Sequence, residues 1–257
     1  MIQPDCARFK RMVKSVSLKL SRVLRSQGFG SRKVCEVRVL AGEVEVNGVV
    51  CDDPEFEVDQ AGLELTVDGV TWAFREKAYV LVNKPVGYEC SHHPSHHRSV
   101  FSLLPAPLLQ RGVQCIGRLD QDTTGLLLFS DDGQFIHRMI SPKKGVAKVY
   151  RATCADPLSD AMLEALRSGV LLNDEPAPIA ALACEAIDPH TLNLSLAEGK
   201  YHQVKRMIAA TGNRVVKLHR ESIGHFDLPA NLAPGAWRWL EDDDLKRLEQ
   251  PWQSTMS

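Results

Sequence analysis

Asp120 stands between Arg118 and the hydroxyl residues Thr123 and Thr124, in the segment Gly117-Arg118-Leu119-Asp120-Gln121-Asp122-Thr123-Thr124-Gly125. A carboxylate held on a rigid element beside a cation can act as nucleophile or base, because the cation favours its charged, reactive form. The competing reading is a surface loop, since Asp, Thr and Gly also build turns. Two later stretches offer partners for such a carboxylate. Lys148-Val149-Tyr150-Arg151-Ala152 places a phenol among positive charges, and Lys200-Tyr201-His202-Gln203-Val204-Lys205-Arg206-Met207 brings His202, Lys205 and Arg206 close together.

The elements that must position these groups follow from the apolar pattern. Leu126 to Phe129 is continuously apolar and reads as a strand buried on both faces, which anchors the Asp120 loop to a core. The stretch 148–152 reads as a strand, and Thr191-Leu192-Asn193-Leu194-Ser195-Leu196 as a strand with its leucines on one face. Residues 200–210 are predicted to be helical, with Val204, Met207, Ile208 and Thr211 on one side, His202, Lys205 and Arg206 on another, and Gly212 as the stop. Tyr79 to Asn83 reads as a buried strand that ends at the Lys84-Pro85-Val86-Gly87 turn, so Lys84 is expected at a strand end, where ligand contacts are common.

With 257 residues and 44% hydrophobic content, the chain can bury a sizeable core and is expected to hold one small and one larger domain. No apolar run is long enough to cross a bilayer, and the first twenty residues lack a signal-peptide core, so a cytoplasmic protein without membrane partners is expected. The seven cysteines, Cys6, Cys35, Cys51, Cys90, Cys115, Cys154 and Cys184, are spread out without a C-x-x-C pair and read as reduced thiols.

The net charge of −1 conceals a basic end, where Arg8, Lys10, Arg11, Lys14, Lys19, Arg22, Arg25, Arg32, Lys33 and Arg38 face only Glu36, Glu43 and Glu45. Such an end suits a polyanion. Helical spacing over 18–27 leads to Gly28 and Gly30, Ser31 is placed to cap a second helix over 32–40, and Glu43-Val44-Glu45-Val46 alternates into an Asn47-Gly48 hairpin turn. The alternating Leu63 to Val67 is expected to be the last strand of this unit, followed by a turn at Asp68-Gly69 and a linker, with a boundary near Trp72. Glu241 to Asp244 form the acidic first turn of a closing helix. Four histidines in His92-His93-Pro94-Ser95-His96-His97 invite a metal site. Without a nearby carboxylate, and with a Pro-Ser centre, the tract reads instead as a solvated loop that can touch RNA, and no metal is expected.

Lys19-Leu20-Ser21-Arg22, Gly28-Phe29-Gly30-Ser31-Arg32-Lys33 and Gly42 to Gly48 together resemble the S4 RNA-binding domain, although a serine stands at Ser21 where that family usually has an acidic residue. The order Gly-Arg-Leu-Asp-x-x-Thr-x-Gly-Leu-Leu-Leu, then Lys-x-Tyr, then Glu-Gly-x-x-His-Gln-Val-Lys-Arg-Met resembles the pseudouridine synthases that carry an N-terminal S4 domain. The likeness runs from about Leu18 to Leu240 and includes the closing segment from Leu232 through Trp237-Arg238-Trp239. The Tyr201 to Met207 form is most similar to the small-subunit ribosomal RNA branch.

That resemblance implies an α+β protein, with a catalytic domain built on a long mixed, mainly antiparallel sheet flanked by helices. The expected division is an N-terminal extension over 1–16, an S4 domain over 17–67, a linker over 68–77 and a catalytic domain over 78–257. The resemblance also implies isomerisation of a uridine in small-subunit ribosomal RNA, at the family's position-516 site, by a monomer that takes RNA or a partly assembled particle and needs no cofactor. Asp120 would be the nucleophile, by an acylal or a glycal route, with Lys205 holding it oriented and charged and Arg206 as second choice for that role. Tyr150 would lie against the uracil. Arg118, Leu119, Lys84, Lys148, His202, Gln203 and Arg206 would contact substrate, while Lys19, Arg22, Arg25, Arg32, Lys33 and Arg38 would meet RNA phosphates.

Three other functions compete. A large-subunit ribosomal RNA synthase would share the chemistry, and an S4 binding or assembly factor would use the second domain only as a scaffold. An N-glycosidase would attack the same carbon, but such enzymes usually pair two carboxylates, and Asp122 has no evident acid role.

Overall fold

The computed structural model describes residues 17–141 and 144–250 and divides into two units. The expected extension over 1–16, with its basic residues and Cys6, lies outside the described residues, as do Pro142 and Lys143.

Turn residues lay out the first unit. It contains β1 (Leu18–Lys19), α1 (Leu20–Ser26), α2 (Arg32–Leu40), β2 (Val44–Val46), β3 (Val49–Val50), β4 (Glu57–Val58), β5 (Glu64–Val67) and β6 (Val70–Ala73). The first helix begins later than its spacing predicts because Leu18 and Lys19 pair with Val58 and Glu57. Ser31 caps α2 by accepting the Val34 N–H at 3.4 Å, and Asn47 and Gly48, both at positive φ, make the tight turn from β2 to β3. Leu20, Val23, Leu24, Cys35, Val39, Val44 and Leu65 are fully buried between the helices and the β3-β2-β5-β6 sheet.

Residues 68–76 belong to the first unit and are not the expected linker. Asp68 and Gly69, also at positive φ, fold the chain back so that β6 pairs with β5 and Trp72 packs edge-on against Phe29. The unit therefore runs through Glu76, and it is completed by Ala106–Arg111, whose short helix α3 (Ala106–Gln110) comes from later in the chain. Gln27 is fully buried, and the Arg111 guanidinium donates to its Oε1 at 3.1 Å and to the Arg75 carbonyl at 2.9 Å.

The second unit holds Lys77–Pro105 and the chain from Gly112. Its strands are β7 (Tyr79–Lys84), β8 (Tyr88–Glu89), β9 (Arg98–Ser99), β10 (Gln114–Ile116), β11 (Thr123–Ser130), β12 (Lys148–Cys154), β13 (Ala183–Asp188), β14 (Thr191–Leu196), β15 (Val215–Ile223), β16 (Phe226–Asp227) and β17 (Trp237–Trp239). The helices are α4 (Gly133–Ile140), α5 (Asp160–Ser168), α6 (Gln203–Ala210) and α7 (Asp242–Glu249). The main sheet runs β13-β14-β12-β15-β11-β7-β17, with β10 beside β11 and β16 beside β15. The β11–β15 pair is parallel and its neighbours are antiparallel, so the sheet is mixed and mainly antiparallel, flanked by helices.

Leu126, Leu127, Leu128 and Phe129 are all fully buried, as expected of a strand covered on both faces. Phe135 and Met139 of α4 and Leu248 of α7 belong to the same core as Leu126 and Leu128. The acidic first turn of α7 is present, and Glu241 and Asp244 form a capping box there. Among the described residues no helix is long and apolar enough to cross a membrane, and the six cysteines are free.

Tyr79 at the start of β7 donates its hydroxyl to Asp132 at 2.8 Å. Burial, followed by that bond, pushes its phenol from 10.0 up to about 12. A pKa raised by folding stabilises the native state below the unfolded value and loses that contribution as pH rises through the folded one. Stability in chemical denaturation should therefore decline as pH rises from 10.0 toward about 12, and Tyr79→Phe should flatten this part of the profile. Equal slopes in both proteins would show that the Tyr79 phenol does not set it.

Candidate active site

The segment 117–122 joins β10 to β11, and its shape is imposed from below. Lys84 at the end of β7 is fully buried, and its ammonium donates to the carbonyls of Pro85, Asp120, Gln121 and Thr123 at 3.1, 3.0, 3.3 and 2.8 Å. Burial lowers its pKa. This corrects the expectation that Lys84 contacts substrate, because its donors point into backbone carbonyls and none is left for a ligand. Gly125, three residues into β11, lies at positive φ where the parallel strand β15 comes close; a Cβ there would collide with the Arg220 backbone.

With the loop so held, the Asp120 carboxylate is about one-third exposed at the mouth of a cleft of roughly 440 Å³. Lys205 from the first turn of α6 donates to Asp120 Oδ2 at 2.9 Å and to Asp122 Oδ1 at 2.7 Å. Burial alone would lower the Lys205 pKa, but the two carboxylates outweigh it and raise the value above the usual ammonium range. For Asp122 burial acts upward, yet the bond to Lys205 and its charge leave the carboxyl below its ordinary value. His202 places Nε2 3.3 Å from Asp120 Oδ1.

The helix starts later than expected. His202 has a left-handed backbone, φ 48°, immediately before α6, so residues 200–202 form a turn and His202 does not share a helical face with Lys205. Gln203 is buried, accepting from the Lys200 N–H at 2.8 Å, which fixes that turn. Arg206 is directed to the carbonyls of Tyr201 and Asn173. It neither lines the cleft nor bonds Asp120, which removes it as an alternative partner of that carboxylate.

Tyr150 comes from β12 and is 8% exposed, with its ring on the wall of the cleft beside Leu119, Leu196 and Leu218. Arg118 is exposed at the rim. Lys148, two residues before Tyr150 and so on the same face of the strand, lines an adjoining cavity of about 510 Å³. That cavity also receives Arg220 of β15, a residue sequence reasoning missed. Its only signal was a charged residue within the run Val215 to Ile223, where charges at Lys217, Arg220 and Glu221 obscure the strand. The arrangement provides an oriented carboxylate, an apolar wall with an aromatic ring, and cations at the rim.

The histidine tract needs a correction of its premise. A carboxylate is nearby: Glu89 accepts the N–H groups of Ser95, His96 and His97 at 3.0–3.1 Å and shapes the loop through its backbone. His92 stacks on Phe101 with ring centroids 3.7 Å apart. Among the described residues no group of three or more side chains is arranged to hold a metal.

In the first unit, Lys19 pairs with Glu55, Arg32 with Glu36 at 2.7 Å and Arg38 with Asp68 at 2.8 Å. Arg22, Arg25 and Lys33 are exposed and carry no such pair among the described residues.

Comparison with known proteins agrees with this architecture. Residues 78–210 match the RNA pseudouridylate synthase family and residues 18–65 match the S4 domain. The chain is 37% identical over 237 residues to ribosomal small subunit pseudouridine synthase A of Yersinia pestis, covering 92% of this chain and 96% of that protein. It is 39% identical over 204 residues to the protein of the same name from Pasteurella multocida, covering 79% and 87% of the two chains. A crystal structure of a pseudouridylate synthase superposes with a TM-score of 0.64 at 34% identity, covering 90% of this chain and all of that one. With an S4 domain ahead of a catalytic domain that matches this family model over 78–210, and with full-length relatives at 37% identity, the chain belongs to the RNA pseudouridylate synthase family.

Proposed function

We propose that this protein converts a uridine of small-subunit ribosomal RNA to pseudouridine, with Asp120 as nucleophile, at the site corresponding to the family's position 516. The carboxylate of Asp120, held by Lys205 at the mouth of a cleft walled by Tyr150, is the observation that carries the reading. The reaction breaks the N1–C1′ bond, turns the uracil and joins C5 to C1′; the proton lost from C5 balances the one gained at N1. Atoms and electrons are conserved, so the step calls for no cofactor.

Each residue has a task within that scheme. Asp120 acts at the ribose, Lys205 keeps the carboxylate aimed, and Tyr150 supports the uracil ring and can accept the C5 proton. Arg118 meets a phosphate or fills the space left by the flipped base, whose unstacking costs a few kcal/mol. Arg22, Arg25 and Lys33 bind phosphates without reading sequence, which raises the local concentration of RNA at the cleft. The protein acts as a monomer in the cytoplasm, on RNA or a partly assembled small subunit. An N-glycosidase is disfavoured because Asp122, the second carboxylate, shares the Lys205 ammonium and is made more acidic, opposite to what a general acid needs.

Tritium release from C5-labelled uridine in small-subunit ribosomal RNA, with and without early ribosomal proteins, tests the proposal. About one tritium per RNA is expected. Release only from large-subunit RNA would shift the target, free uracil would indicate a glycosidase, and salt-sensitive binding without release would leave an S4 binding factor.

A further inference from the structure

The cavity behind Tyr150 has an unusual charge balance. Arg118, Lys148 and Arg220 line it, together with apolar residues such as Ile116 and Met139, and no carboxylate does. Arg220 is 3% exposed; its Nε donates to the Leu126 carbonyl at 2.7 Å, but its Nη2 is buried without a hydrogen-bond partner. The Lys148 ammonium makes no hydrogen bond or ion pair among the described residues, although the backbone of Lys148 is paired in β12. Burial, and then the neighbouring Arg220 charge, bring its pKa down from 10.5 to about 8. Cys90 and Cys115 are titratable groups that interact with Arg220; they also interact with each other, and Cys90 bonds the Leu119 backbone. A buried guanidinium with an unmet donor beside an unpaired ammonium is an expensive arrangement unless an anion completes it.

We infer that Arg220 and Lys148 form a phosphate subsite, with Arg118 at its edge, that takes a phosphate adjoining the uridine whose base lies against Tyr150. A guanidinium edge with a free N–H and a mobile ammonium suit the several oxygens of a phosphate, and phosphate is the anionic group that RNA offers. Tyr150 and Arg118 line both this cavity and the Asp120 cleft, so one nucleotide can occupy the two together. The identity of the ligand as a nucleotide rests on the isomerase reading; the anion site itself does not.

Equilibrium binding to the full chain carrying Asp120→Asn, which removes turnover, tests this with uridine, uridine monophosphate and inorganic phosphate as probes. Uridine monophosphate should bind about tenfold or more tighter than uridine, a preference lost in Lys148→Gln and kept in Lys148→Arg. Saturating uridine monophosphate should raise the Lys148 ε-amine titration, followed by carbon NMR, above its resting value of about 8. The preference should also weaken as pH rises past that value. Equal affinities for uridine and its monophosphate, a preference unchanged in Lys148→Gln, or an unmoved Lys148 titration would overturn the subsite. Inorganic phosphate binding more tightly than the nucleotide would mark a free-ion site and overturn the nucleotide role. Failure of tritium release with the preference intact would sink the isomerase reading while leaving the anion site standing.

Discussion

Asp120→Asn is expected to lower tritium release by at least about four orders of magnitude, as removal of a nucleophile that works as part of a unit does. RNA affinity should stay within about twofold, because phosphate contacts on other residues supply most of it. The substitution keeps the size of the side chain, and the amide oxygen can still accept from Lys205 where Oδ2 does now. What the amide lacks is the negative charge that makes a carboxylate oxygen nucleophilic or basic enough to attack or assist at C1′. Single-turnover release and filter binding at two salt concentrations measure both quantities. Loss of binding in parallel with activity would mean that Asp120 holds substrate and that the nucleophile is elsewhere.

Lys84→Met is expected to be the most damaging change away from the cleft, costing about 1–3 kcal/mol, the range for taking a charged donor away from buried acceptors. The ammonium gathers four carbonyls, three of them in the Asp120 segment; methionine removes this shared donor, leaving the Asp120 and Gln121 carbonyls with only the Thr123 and Gly87 amides and the other two without the ammonium. Lys84→Arg should not restore stability, since a planar fork cannot reach four converging oxygens in the volume of an ammonium. Urea denaturation gives the cost, and hydrogen exchange at the Thr123 amide, which donates to the Asp120 carbonyl at 3.1 Å, reports the loop itself. An unchanged urea midpoint with unchanged Thr123 protection would show that the carbonyl cage is dispensable.

Features governed by local chemistry were legible in the chain. Asn47-Gly48 announces a tight hairpin because both residues must take positive φ, and Leu126 to Phe129 announces a central strand because it has no polar face. Asp68-Gly69 carries the same turn chemistry, yet Val70–Ala73 was assigned to a linker because a four-residue edge strand has too few residues to display a period. The attachment of Ala106–Arg111 to the first unit depends on the fit of Arg111 to Gln27, a contact 84 residues apart in sequence. In the candidate site, the residue types at Asp120, Tyr150 and Lys205 could be read, and these three do converge. The burial of Lys84 and Arg220 could not, since both are charged residues inside strands and only tertiary packing determines what receives their donors. The helix boundary at Gln203 was missed because the left-handed turn at His202 has no glycine or asparagine to signal it.

The parallel pairing of Thr123, Thr124 and Gly125 with Leu218, His219 and Arg220 also sets the order in which the molecule can mature. Parallel neighbours so distant along the chain meet late, after the local hairpins have formed. During synthesis, which proceeds at about 5–20 residues per second, a nascent chain that has exposed Asp120 still waits several seconds for β15 before the far wall of its cleft exists. Products that end before Val215 would thus carry the Asp120 carboxylate without the strand that encloses it, and the finished cleft is withheld until synthesis has passed Ile223.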